Sequence, residues 1–289
     1  MGVEMGKISI MNRIMDKTFK NSGLKHLILN NRKKNCPILL YHSLNPKKEG
    51  VSEDLFEKHI QYLSTNHEII TLKEALQRFN SNSLNGDELV ITFDDGYEDT
   101  ATKALPILKK YKATATVFIT TGLINNYYMQ QKMINENQIK KMSKNGIEIG
   151  SHTLTHPNLT AISKKRLKEE LKQSKIELEK IIEKEVSSFS YPTGFYDQMV
   201  IKLVKKTGYK NGCTIFHDFL IEKEKKYEIP RMVIYPYDSI LDLQAKINGD
   251  RHWISIIQRI FMPQILKKYD INPQGVYELN DESIFKTGS

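Results

Sequence analysis

Two adjacent carboxylates, Asp94 and Asp95, stand between an apolar run at residues 89–93 and Gly96. A run of that length reads as a buried strand, so the pair falls where a strand ends. Two carboxylates at such a place are costly to bury unless a cation or hydrogen bonds compensate. The C-terminal ends of strands are also where α/β barrels keep their active sites. Alone, the pattern reads equally well as an exposed Asp-Asp-Gly turn. His152 and His156 follow a second short strand that ends at Gly150. Histidines four apart share one face of a helical turn and can grip one metal ion. With a carboxylate they make the two-histidine set of catalytic zinc sites, which leave positions open for water or substrate. Eight histidines make a chance surface pair the plain alternative, and the placement of both loops after strands favours the metal. Third, Pro192-Thr193-Gly194 follows a strand at residues 189–191. Such a tight turn can aim a backbone N–H at a developing oxyanion, although Pro-x-Gly is also an ordinary turn.

The elements that must position these groups alternate along the chain. Apolar runs at residues 36–43, 89–93, 115–119 and 147–150 read as buried strands, with further candidates at 189–191, 213–215 and 232–234. Ser52 is placed to cap a helix carrying Phe56, Ile60 and Leu63, and Thr71 with Glu74 forms a capping-box pattern. Residues 164–185 read as a long charged helix with Leu167, Leu171, Leu178 and Ile182 as its apolar stripe. Strands separated by helices imply parallel βαβ units. The expectation is an α/β domain, barrel-like, over residues 35–250.

Composition narrows the class. The 289 residues are 39% hydrophobic and 27% charged, as in ordinary globular proteins. Cys36 and Cys213 lie far apart and form no Cys-x-x-Cys pair, which argues against a disulfide scaffold or a cysteine-rich zinc site. No run approaches the roughly 20 apolar residues that span a bilayer, and no signal-peptide core is evident, so the expectation is a cytoplasmic protein. The net charge is +9. Residues 1–34 hold eight Lys or Arg against Glu4 and Asp16, a basic extension carrying +6 of that excess. No basic stripe interleaved with aromatics accompanies it, so no nucleic-acid partner is expected. Residues 251–289 form a tail in which Trp253, Ile256, Ile257 and Ile260 make an i, i+3, i+4, i+7 stripe flanked by Arg251, Arg259, Lys267 and Lys268. Packing against the domain is the favoured reading of that stripe; contact with an anionic membrane surface is the second.

Taken together, ITFDDGY (91–97), EIGSHTLTHPNL (148–159) and SYPTG (190–194) resemble the polysaccharide deacetylases of carbohydrate esterase family 4, in order and in separation. The resemblance covers roughly residues 36–235 and implies a distorted (β/α) barrel of about seven parallel strands. It implies a glycan substrate bearing N-acetyl amino sugars and a divalent metal ion, zinc by preference, held by Asp95, His152 and His156. Asp94 is then the general base toward the attacking water, and the Thr193 N–H helps to stabilise the oxyanion. Two departures stand out. Tyr191 occupies the place where the family's turn motif usually has Arg, and the late Leu-x-His segment is missing; the late strand reads Ile229-Pro-Arg231-Met-Val-Ile234. Leu40-Tyr-His42-Ser43 instead resembles the branch acting on poly-N-acetylglucosamine, in which the motif order is permuted.

His42 is therefore the candidate general acid: it closes an apolar strand, so it falls at the same rim as the other loops, and imidazole titrates near neutral pH. A buried structural histidine is the alternative, and His217 is the next candidate. Arg231 is a candidate for pairing with Asp94 in place of the missing arginine, or for a merely structural ion pair. Two other functional readings remain: a carbohydrate-binding domain that has lost catalysis, and a metal hydrolase of another amide C–N bond.

Overall fold

The computed structural model describes residues 36–48, 50–216 and 225–250, with Lys17, Thr18 and Asp218. His217, the tail from residue 251 and nearly all of the basic extension lie outside the described residues. In chain order the elements are β1 (Ile38–Tyr41), α1 (Glu53–Asn66), β2 (Glu68–Ile70), α2 (Leu72–Asn80), β3 (Glu88–Phe93), α3 (Leu105–Lys110), β4 (Thr116–Ile119), β5 (Tyr127–Tyr128), β6 (Gln131–Lys132), α4 (Glu136–Lys144), β7 (Glu148–Ser151), α5 (Lys164–Ile182), α6 (Gln198–Thr207), β8 (Met232–Val233) and α7 (Ile240–Ile247).

The central sheet runs β7-β4-β3-β1-β8 with β2 beside the start of β3, and every pairing in it is parallel. Parallel strands are covered on both faces, which is why β1 and β3 are buried at every position instead of alternating. The helices start where the sequence supplies a cap. The Ser52 hydroxyl accepts from the Leu55 N–H, and α1 buries Phe56, Ile60 and Leu63 together with His59. Thr71 accepts from the Glu74 N–H, but the box is only half made, because the Glu74 carboxylate binds Arg78 at 2.7 Å. Helix α5 ends at Ile182, three residues earlier than expected, with Glu183 in a left-handed conformation (φ 55°).

The expected barrel is present in open form. Between β7 and β8 the circuit continues through isolated parallel bridges, Ser151 to Phe189, Ser190 to Cys213 and Cys213 to Ile229. The candidate strands at 189–191 and 213–215 are reduced to these single bridges. Pro192 and Pro230 follow two of the bridging segments, and a residue without an N–H cannot extend a ladder.

Candidate active site

Register decides which side chains meet. Tyr41 is level with Phe93, so His42 and Asp94 leave the sheet side by side, and the Asp94 N–H still donates to the Tyr41 carbonyl at 3.1 Å. Ile119 is level with Ser151, and the His152 N–H donates to the Ile119 carbonyl at 3.0 Å. The Asp-Asp loop and the histidine loop thus open on one edge of the sheet.

There, one carboxylate oxygen of Asp95 and ring nitrogens of His152 and His156 all lie within 4.8 Å of one another. Asp95 Oδ1 is 3.4 Å from Nε2 of each histidine. That is long for an N–H···O hydrogen bond, which usually spans about 2.7–3.2 Å. It matches the edge of a tetrahedron: two ligands each about 2.1 Å from one ion stand about 3.4 Å apart. His152 Nδ1 is 2.9 Å from the Ser190 carbonyl, an oxygen that can only accept, so this nitrogen carries the proton and Nε2 keeps its lone pair. The donor set therefore fits a divalent ion. The Asp95 carboxyl, although burial alone would raise it, is held well below the usual range by its contacts with His152 and His156. The His152 ring is raised: burial opposes its charge, but Asp94 and Asp95 outweigh that.

The two histidines are not on a helical turn. Thr153 (φ 71°) and His156 (φ 62°) are left-handed, and the segment is a loop. Glu170 of α5, fully buried, holds that loop in place. Its carboxylate accepts from the N–H groups of Leu154 (2.9 Å) and Thr155 (2.8 Å) and from the Thr155 hydroxyl (2.6 Å), and pairs with Arg166 at 2.9 Å. Sequence reading passed over Glu170, yet a signal existed. It lies on the same face as Leu167, Leu171 and Ser174, so the apolar stripe carries a carboxylate.

Asp94 stands behind the cluster, its Oδ2 3.9 Å from His152 Nε2. Arg231 grips both of its oxygens at 2.7 Å, and the Ser190 hydroxyl donates to Oδ2 at 3.0 Å. Burial would raise the Asp94 carboxyl, but the Arg231 guanidinium and His152 lower it on balance. Arg231 is itself fully buried and donates further to the Thr214 carbonyl (2.9 Å), the Thr92 hydroxyl (3.3 Å) and the Ser190 hydroxyl (2.8 Å). His42 is exposed, not buried in the core, and its charge is among the lesser influences that lower Asp94 and Asp95. Thr193 sits in a left-handed turn (φ 57°). Gly194 after it (φ 76°) has no room for a side chain, since a Cβ there would lie 2.4 Å from Ile215.

The polysaccharide deacetylase family model matches residues 81–212, which take in Asp94, Asp95, His152, His156 and Thr193 but not His42 or Arg231. YxkH of Bacillus subtilis (strain 168), a polysaccharide deacetylase by name, is 32% identical over 209 residues, 69% of this chain and 71% of that one. A poly-beta-1,6-N-acetyl-D-glucosamine N-deacetylase of Staphylococcus aureus (strain MRSA252) is 31% identical over 199 residues, covering 65% and 69% of the two chains. Among solved structures, the Streptococcus pyogenes deacetylase PplD in complex with acetate superposes with a TM-score of 0.69 at 27% identity, over 74% of this chain and 98% of its own. On these grounds the chain belongs to the polysaccharide deacetylase family, hydrolases of amide C–N bonds.

Proposed function

We propose that the protein removes the acetyl group from N-acetylhexosamine units of a glycan, releasing acetate and leaving a free amine. The observation that carries this is the convergence of Asp95, His152 and His156 within 4.8 Å beside a second, arginine-clamped carboxylate. A divalent ion held by these three, zinc by preference, would polarise the acetyl carbonyl and lower the pKa of water. Asp94, kept ionised by Arg231, accepts the proton of the attacking water. As the carbon–oxygen bond forms, the Thr193 N–H donates to the developing oxyanion. His42 then gives a proton to the amine nitrogen as the C–N bond breaks, a step needed because an amine departs poorly as an anion. The exposed position of His42 beside Asp94 at the sheet edge supports that role. PplD was captured with acetate, the acid product of this reaction type. The intact Asp94, Asp95, His152 and His156 set argues against a binding domain without catalysis.

The test is acetate release from N-acetylhexosamine oligomers by protein freed of metal with a chelator and reloaded with single divalent ions. Release is expected only after reloading. Hydrolysis of other amides, with these oligomers untouched, would move the activity to another C–N bond. For His42→Ala, turnover should fall by roughly 10²–10⁴-fold, the usual scale for lost acid–base help. Metal content should stay normal. Near-normal turnover would remove His42 from the reaction and make His217 the next residue to test.

A further inference from the structure

The hairpin β5–β6 is absent from the sequence reading and closes one side of the site. At its base the Ile134 N–H donates to the Gly96 carbonyl at 2.9 Å, one residue past Asp95, and Met133 bridges Tyr97. On its inner face the Tyr128 ring lies 5.9 Å from the His156 ring, and the Gln131 side-chain carbonyl accepts from the Ser43 hydroxyl (3.0 Å) and the Asn45 amide (3.3 Å), just past His42. The hairpin therefore spans the Asp-Asp loop, the histidine loop and the loop carrying His42. Across from these, Tyr127 pairs with Lys132 on the outer face.

Its turn is unusual. A two-residue turn with both φ angles positive is ordinarily built from Asn-Gly or Gly-Gly, because side chains resist that conformation. Here the two residues are Met129 (φ 47°) and Gln130 (φ 60°). Met129 is 42% exposed, so the strain is not offset by packing its side chain into the core. Gln130 is exposed as well, and its side-chain carbonyl accepts from the flexible Lys48 ammonium at 3.1 Å. Strain retained beside a reactive centre, with large side chains where small ones would be more stable, marks a functional constraint.

We propose that Met129 and Gln130, carried on the inner wall formed by Tyr128 and Gln131, contact the sugar next to the one being deacetylated and set the preference for oligomers over single sugars. Resting on the function proposed above, this gives the hairpin a role in substrate choice separate from the chemistry. The experiment combines Met129→Asn with Gln130→Gly, which installs the favoured turn, and compares it with Met129→Ala and with Tyr127→Ala as the outer-face control. Substrates are N-acetylglucosamine, its β-1,4- and β-1,6-linked pentamers, and a small acetyl ester that needs only the reactive centre. The expected result for the double variant is a melting temperature higher by about 2–4 °C, from relief of strain. KM for a pentamer should rise about tenfold, equivalent to about 1.4 kcal/mol of lost binding. The readout is the ratio of pentamer to ester kcat/KM, which should fall about tenfold because the ester does not reach the hairpin. Met129→Ala should raise KM in the same direction, and Tyr127→Ala should not move it. An unchanged pentamer KM in the double variant, with the wild-type protein active, overturns the proposal and leaves the deacetylase reading intact. A lower melting temperature with ester hydrolysis lost overturns it too, since the hairpin would then be a structural wall. If the wild-type protein hydrolyses the ester but neither pentamer, the deacetylase reading fails instead. The hairpin is then judged by calorimetric binding of the pentamers, which the double variant should weaken about tenfold and which, if equal in both proteins, refutes it.

Discussion

At the scale of single residues, the Asp94–Arg231 pair is the point where chemistry and stability meet. Both side chains are buried and each meets the other through two charge-assisted hydrogen bonds. Removing one partner of such a pair leaves an uncompensated buried charge, which costs about 3–5 kcal/mol. Asp94→Asn should therefore keep its metal but lose turnover, and should also melt at a lower temperature. Asp95→Ala, His152→Ala and His156→Ala should each lose metal and activity together. Metal content by elemental analysis beside acetate release separates the two classes. If Asp94→Asn released the metal, the roles of the two aspartates would have to be exchanged. A double-mutant cycle refines the stability side: Asp94→Asn with Arg231→Met should be less destabilised than the two single variants summed, because the double removes both charges. Additive losses in urea unfolding would mean that the pair is not coupled.

Between elements, two buried polar devices hold the loops. The first is Glu170 of α5. In Glu170→Ala the N–H groups of Leu154 and Thr155 lose a charged acceptor, worth about 1.5–3 kcal/mol for a hydrogen bond of this kind. Because the loop carries His156, metal affinity should fall about 10–100-fold, the scale seen when outer partners of ligands are removed. Glu170→Gln, which keeps the acceptor oxygen, should recover part of it. Competitive metal titration reads this directly, and unchanged affinity in the alanine variant would confine Glu170 to folding. The second device joins α1 to the turn before α7. His59 Nε2 is 2.9 Å from the Asp238 carbonyl, so it carries the proton, and Nδ1 accepts from the Tyr41 hydroxyl at 3.0 Å. Asp238 in turn pairs with the buried Lys246 ammonium. Burial lowers the His59 ring from its ordinary value, more than the Asp238 carbonyl raises it. The unfolded chain then binds the proton more readily, so the stability from a neutral His59 is complete above about pH 6.5 and is lost as pH falls below it. His67, lowered by burial as well, acts in the same direction. The raised His152 ring opposes this in the same window, so the test is a difference: His59→Gln should be less stable at pH 7.5, and its urea midpoint should fall less than that of the wild-type protein between pH 7.5 and pH 5. An equal drop in both proteins would assign the effect to other groups.

For the whole molecule, placement turns on the apolar stripe of the tail. No described helix is long and apolar enough to cross a membrane. The stripe of Trp253, Ile256, Ile257 and Ile260 lies outside the described residues, and from its sequence we propose that it packs against the domain in preference to an anionic surface. On that reading, removal of residues 251–289 should lower the melting temperature, and the full chain should not float with anionic vesicles. Flotation at low salt that is reversed at high salt would instead place the tail on the membrane, since screening weakens such contacts.

What could be read without coordinates is what local pattern and chain order encode. Apolar runs ending in Asp94-Asp95, His152 and Pro192 announced strands with reactive groups at their C-terminal ends, because a parallel sheet puts all such ends on one edge. The helix starts at Ser52 and Thr71 were equally legible, since a cap is a local hydrogen bond. Spacing misled where a loop imitated a helix: His152 and His156 are four apart but are brought together by left-handed residues and by Glu170, sixteen residues beyond Leu154. The pairing of Arg231 with Asp94 spans 137 positions and hangs on the pairing of β8 with β1 and of β1 with β3. Likewise the wall made by the hairpin, and the halt of the barrel at single bridges beside Pro192 and Pro230, follow from which backbone groups find partners once the sheet has formed. Periodicity in a sequence reports which face of an element is buried; which distant charge lies beside it is decided by strand register, and register exists only in the folded chain.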